Sequence, residues 1–286
     1  MDQVPVFFTG RMVANACSFS PSAGKPAEVV NSWLKLEGMI KLSEPHPVTV
    51  DQFCMSHDRS YVEDVLNCRV DNGFRNRIPA VAESLPFTTG AMLAASRAAI
   101  VNRRVAVAPC SGFHHAHWSL GAGYCTFNGL MVTAAVLRHE GLVQKIGILD
   151  FDQHWGDGTE DIINQLGASA WVHHYSPVYE FGTTESAESF LGAIPGITAG
   201  FADCDLVLYQ AGADPHVLDP LGGWLTTEQL FRRDEAVFRG LCALGLPVAW
   251  NLAGGYQQPL RKVLDIHDNT MRACHATYCR AQALDA

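Results

Sequence analysis

Short, continuously apolar runs punctuate the chain at residues 4–9, 105–108, 146–151, 206–210 and 247–252. Each has the length of one buried strand, and strands apolar on both faces belong to a parallel sheet covered by helices. Between them the apolar positions recur at helical spacing. Residues 25–35 place Val29, Val30, Trp33 and Leu34 on one face. Thr88-Thr89 reads as the cap of a helix running through Met92, Leu93, Ala95, Ala99 and Ile100, and 128–139 as a helix stopped by Gly141. Thr159 opens another helix, and Thr226-Thr-Glu-Gln229 is a capping box for a helix reaching Leu244. Alternating strands and helices predict an α/β fold, a single domain over 1–286 with a largely parallel β-sheet flanked by helices.

Four of the runs end in polar or glycine-rich residues: Pro109 to His117 with the tandem His114-His115, the stretch from Asp150 to Gly158, Ala-Gly-Ala-Asp214, and Ala-Gly-Gly-Tyr256. Ligands of open α/β sheets collect beyond the carboxyl ends of the strands, so these four ends can form one pocket. Side chains two apart on an extended segment point the same way, which puts Asp150, Asp152 and His154 on one face. Asp152, His154 and Asp214 then supply three ligands for one divalent ion, and oxygen plus imidazole nitrogen suits zinc better than calcium or magnesium. Amide hydrolysis at such an ion also needs a base for the water and an acid for the leaving amine. His114 and His115 can do both, with Asp150 and Asp157 free to orient their second nitrogens. Tyr256, after two glycines, is suited to donate to a developing oxyanion.

Composition narrows the setting. The 286 residues are 48% hydrophobic and no linker divides them. No apolar run reaches eighteen residues and the first residues carry no secretory pattern, so the chain reads as cytoplasmic, with no membrane partner. Nine cysteines without a C-x-x-C pair read as reduced thiols. A formal charge of -9 argues against direct nucleic-acid binding and is compatible with a cationic substrate. His57 reads as a histidine bonded to backbone near a helix start rather than as a catalytic group. His117, His173, His174 and His216 read as hydrogen-bonded wall residues.

Together, His114-His115, the Leu-Asp-Phe-Asp-Gln-His-x-Gly-Asp-Gly stretch, Gly-Ala-Asp214 and Ala-Gly-Gly-Tyr256 resemble, in order and spacing, the four signature blocks of the zinc-dependent histone deacetylase family. Gly-Phe-His-His, Asp219-Pro-Leu-Gly-Gly-Trp-Leu, Arg233-Asp-Glu-Ala-Val-Phe238 and Gly-Gly-Tyr-Gln257 are most similar to its class IV branch. The resemblance implies an arginase/deacetylase fold and one Zn2+ on Asp152, His154 and Asp214. It also implies His114 and His115 as the acid/base pair oriented by Asp150 and Asp157, and Tyr256 on the substrate carbonyl. Gly123 matches the glycine whose carbonyl receives the substrate amide N–H, and Tyr124 an aromatic wall of the acyl-lysine tunnel. The second wall falls on Tyr179, Glu180 or Phe181. Trp171 stands where many members carry a serine that helps to hold a structural potassium, K+, a departure that weighs against that ion. The partner implied is an acyl-lysine protein or peptide, with a small acylated amine such as an acetylpolyamine as the rival substrate. A two-metal ureohydrolase of the same fold needs an acidic residue two positions beyond His154, where Gly156 stands. A non-catalytic acyl-lysine-binding protein would have lost a ligand or the tyrosine, and all are present.

Overall fold

The computed structural model describes residues 1–279. Seven strands, β1 Val4–Phe7, β2 Ile40–Ser43, β3 Val105–Val107, β4 Ile146–Asp150, β5 Val172–Tyr175, β6 Leu206–Gln210 and β7 Val248–Asn251, pair in parallel in the order β2-β1-β3-β7-β6-β4-β5. Alternate side chains enter opposite cores. Val6, Val107, Leu149, Tyr209 and Trp250 pack under α1 (Lys25–Trp33), α7 (Ala187–Ala199), α8 (Thr227–Ala243) and α9 (Arg261–Tyr278). Ala106, Ile148, Leu208 and Ala249 face α2 (Val50–Phe53), α3 (Arg59–Leu66), α4 (Pro79–Asn102), α5 (Gly129–His139) and α6 (Asp157–Leu166). The expected layered α/β architecture with a parallel sheet is therefore what forms, and the four strands read as bearing the site, β3, β7, β6 and β4, are neighbours in it.

Three elements depart from the pattern reading. Thr88 and Thr89 do not cap a helix: they lie inside α4, which begins at Pro79, where a proline's missing N–H costs nothing. The Thr88 hydroxyl donates back to the Leu85 carbonyl, so it satisfies a helical acceptor rather than a free helix-end donor. α6 starts two residues earlier than Thr159, at Asp157, whose carboxylate accepts the Gly158 N–H and suits the positive end of a helix. β5, spelled Val-His-His-Tyr, has no alternation or apolar run to announce it. No helix among the described residues is long and apolar enough to cross a membrane.

Candidate active site

Each strand end delivers its residues by a local device. Asn128 caps α5, its side chain accepting from Met131 N–H and donating to Thr159 Oγ1 at 3.0 Å. His57, buried, donates from Nδ1 to the His117 carbonyl at 2.9 Å and accepts the Asn128 N–H at Nε2, 2.8 Å. Burial pushes this ring down to about 4, so it stays neutral and serves as a brace between the His114–His117 segment and α5. That is the backbone-bonded histidine the sequence suggested.

Beyond β4, β6 and β7, one ligand atom each from Asp152, His154 and Asp214 lies within 4.8 Å of the others. His154 Nδ1 is 3.1 Å from Asp152 Oδ1 and 3.3 Å from Asp214 Oδ2, and both carboxylates are buried. Asp214 Oδ2 has no hydrogen-bond donor. Burial and the facing Asp152 carboxylate push Asp214 up to about 7, while the Asp152 and Asp214 carboxylates beside it hold His154 up at about 10. Two buried carboxylates converging on one imidazole nitrogen form a site that could hold a cation, and two oxygens with one nitrogen are a donor set suited to a divalent transition metal. The residues present fit one metal, with Asp152 Oδ2 already held by the Gly254 N–H at 2.8 Å.

Two histidine–carboxylate pairs flank this triad, their ring centroids 4.0 Å apart. His114 Nδ1 donates to Asp150 Oδ2 at 2.8 Å and is buried with it. His115 Nδ1 donates to Asp157 Oδ1 at 2.6 Å, half open to solvent. Against the downward pull of burial, Asp150 and Asp152 raise His114 to about 9, whereas burial and the neighbouring His114 lower His115. Asp150 is held on its other oxygen by Gln210 Nε2, 3.1 Å, and Gln210 is held in turn by Asn251 Nδ2, 2.9 Å. Gly123 has φ +53°, and a Cβ there would stand 2.4 Å from His115 Cδ2, so only glycine lets this loop pass the His115 ring.

Tyr256 is set by the turn after β7. Its N–H donates to Asp219 Oδ2 at 2.8 Å, and its ring centroid is 5.9 Å from that of Tyr124 and 6.2 Å from that of the nearly parallel Phe19 ring. Ala253 takes φ +47°, a strained conformation for alanine. The fully buried Lys25 at the start of α1 donates to the carbonyls of Ala253, 2.9 Å, and Gly254, 3.2 Å, and fixes that turn. Arg233 likewise ties the Phe151 and Gly212 carbonyls together from α8. Lys25, Asp219, Gln210 and Arg233 are supporting residues that sequence reading missed, since a buried lysine or arginine announces its role only once its distant carbonyl partners are known. Of the three candidates for the second wall, Phe181 turns inward against Phe190, Glu180 is exposed, and Tyr179 is exposed and lies against Trp155, the neighbour of His154. Trp171 packs under Arg138.

The sequence matches the histone deacetylase domain model over residues 22–177. It is 27% identical over 247 residues to a probable deacetylase of Methanothermobacter thermautotrophicus, covering 74% of this chain and 73% of that protein. It is 29% identical over 214 residues to an uncharacterized protein of Picosynechococcus sp., covering 69% and 71%. Against the chloroplastic histone deacetylase 10 of Oryza sativa subsp. japonica the identity is 25% over 268 residues, 76% of this chain and 59% of that one. The crystal structure of the HDA15 HD domain superposes with a TM-score of 0.77 at 18% identity, over 97% of this chain and 89% of that chain, which shows the fold. These matches support a hydrolase of the deacetylase kind, built on the arginase/deacetylase α/β fold. With a domain match over more than half its length and a metal triad between two histidine–aspartate pairs, the chain belongs to the histone deacetylase family.

Proposed function

We propose that this protein is a zinc-dependent amidohydrolase that removes an acyl group from the ε-amine of lysine. The observation that carries the reading is the pairing of one carboxylate–imidazole–carboxylate triad with two imidazoles, each already held at Nδ1 by its own carboxylate. Zinc on Asp152, His154 and Asp214 supplies Lewis acidity and a water of lowered pKa. His115, the histidine held low, takes the proton of the attacking water at Nε2 and returns it to the amine nitrogen as the C–N bond breaks. His114, held charged by Asp150, faces the developing negative charge. Asp150 and Asp157 fix both rings with Nε2 directed toward the metal side. The Tyr256 hydroxyl donates to the oxyanion, the Gly123 carbonyl accepts the substrate amide N–H, and Tyr124 and Phe19, both beside Tyr256, wall the lysine stem. Phe19 is 58% exposed beside Tyr256, which favours a substrate that presents an extended apolar stem to the mouth of the site.

Assaying the zinc-loaded protein against a panel of acyl-lysine peptides and acetylpolyamines tests this reading. Turnover of the peptides is expected. Turnover of acetylpolyamines alone would move the substrate to small acylated amines, and binding of acyl-lysine without any turnover would make the chain a non-catalytic reader.

A further inference from the structure

β5 brings to the back of the site a side chain that the mechanism above leaves unused. The His174 side chain is 3% exposed, and neither of its ring nitrogens has a hydrogen-bond partner among the described residues. Each faces a carboxylate: Nε2 is 3.8 Å from Asp150 Oδ2, and Nδ1 is 3.6 Å from Glu160 Oε2. The Trp155 ring closes over it with centroids 5.2 Å apart. A buried imidazole without hydrogen-bond partners is costly, and a charged one is tolerated only where carboxylates face it, as two do here. Although burial opposes it, Asp150 and Glu160 hold this ring above its ordinary value.

Asp150 is the carboxylate this ring meets on the side of the site. It is completely buried, its Oδ2 is bonded to His114, and its Oδ1 accepts only the neutral donors Gln210 Nε2 and Asp152 N–H, the latter at 3.2 Å. The approach is open because residue 156 is glycine: a Cβ there would stand 2.9 Å from Asp150 Oδ2 and 3.2 Å from His174 Nε2. Gly156 thus does more than deny a second metal its ligand, since it admits a cation carried on the chain itself. On its far side His174 lines a groove of about 500 Å³, together with Glu160, His173 and Lys145, so the ring stands between that groove and the Asp150–His114 pair.

We infer that His174 is a positioning residue, a built-in cation bridging Glu160 to Asp150 that holds the Asp150 carboxylate in the orientation His114 needs. The inference rests on the proposed role of the His114–Asp150 pair. Losing a partner of this outer kind typically costs about 10- to 100-fold.

The test uses full-length, zinc-loaded protein and two variants. His174→Phe keeps the ring volume and removes both nitrogens, and His174→Gln keeps one donor. The first readout is the His114 Nδ1–H resonance in the 1H–15N spectrum, assigned by its absence in His114→Ala, and it needs no substrate. It should move or broaden in His174→Phe and return toward the wild-type position in His174→Gln. The second readout is kcat and KM on an acyl-lysine peptide, where His174→Phe should lower kcat about tenfold with KM and zinc content unchanged, and Gln should recover most of the loss. An unmoved resonance in His174→Phe overturns the inference. So does a kcat within twofold of wild type, or a loss that follows zinc content or is equal in both variants. If wild type turns over no acyl-lysine, the deacylase reading fails and the spectrum alone decides the role of His174.

Discussion

The two histidine–aspartate pairs are the same chemical unit placed in two environments. His114–Asp150 sits at the bottom of the site with both side chains almost fully buried, and His115–Asp157 sits at the mouth with the carboxylate half exposed. The buried pair is surrounded by carboxylates, Asp152 as well as Asp150, and its imidazole is raised to about 9. The open pair is pulled the other way, since burial and the positive His114 beside it outweigh Asp157. Neighbouring identical residues are thereby split into one ring held charged and one drawn toward neutral, the split on which the proposed division of labour rests.

The largest expected effect comes from removing the centre both pairs serve. Asp214→Ala leaves two ligands and should abolish both zinc retention, read by elemental analysis after dialysis, and turnover. One metal per active chain is expected in the parent, and two tightly held metals would contradict the single triad. The next largest separates the pairs. His115→Ala leaves metal and oxyanion donor in place and removes the base, and it should cost about 10³-fold in kcat within the usual span for acid–base groups. His114→Ala should cost less, and the reverse order would exchange the two roles. Tyr256→Phe keeps the ring beside Tyr124 and Phe19 and removes one donor, for a loss of about 10²- to 10³-fold in kcat.

How much of this the sequence disclosed depends on whether a residue's partners lie near it in the chain. Asp150, Asp152, His154 and Asp157 follow one strand within eight positions, and strand-end logic was enough to bring them together with Asp214 and Tyr256. His174, Lys25 and Asp219 act through partners that only the crossover connections deliver: β5 beside β4, and α1 beneath the turn after β7. α7, interrupted in pattern by Gly192, Pro195 and Gly196, is helical because it packs on α8. Thr88-Thr89 shows the opposite failure, a local signal overruled by a helix that had already begun at Pro79.

A pH profile sharpens the comparison with smaller effects. The base must be unprotonated, so activity should fall as pH drops through the His115 value, which lies below 6.5. Asp157 raises that value through its hydrogen bond, so Asp157→Asn should move the acid limb of kcat/KM to still lower pH. His114 must stay charged, so activity should also fall on the alkaline side as His114, held above its ordinary value by Asp150, loses its proton. Asp150 is what holds it there, so Asp150→Asn should draw the alkaline limb toward neutrality. Identical shifts in both variants would mean that the two pairs titrate as one unit.

The smallest effect concerns the acyl chain, which must pass the open pair rather than the buried one. Residues 118–124 form a tight turn there, pinned by bridges between His117 and Leu120 and between Ala122 and Cys125, and carry no bulky side chain between Leu120 and Tyr124. Behind Tyr124 and Cys125 lies a cavity of about 40 Å³ with mixed walls, Met12, Phe74 and Phe127 alternating with Ser84, Thr89 and Ser111. Each methylene that finds apolar wall contributes roughly 0.8 kcal/mol, so two would raise kcat/KM about tenfold, whereas a wall shaped for acetyl alone rejects them by overpacking. A medium or long acyl-lysine should then be cleaved with kcat/KM at least equal to that of acetyl-lysine. The measurement is a series on one peptide from acetyl to myristoyl, with Tyr124→Ala alongside to open the cavity. If kcat/KM falls steadily beyond acetyl in the parent and recovers in Tyr124→Ala, the tyrosine closes the space and the parent is an acetyl enzyme. If it holds or rises in the parent, the chain already reaches that wall.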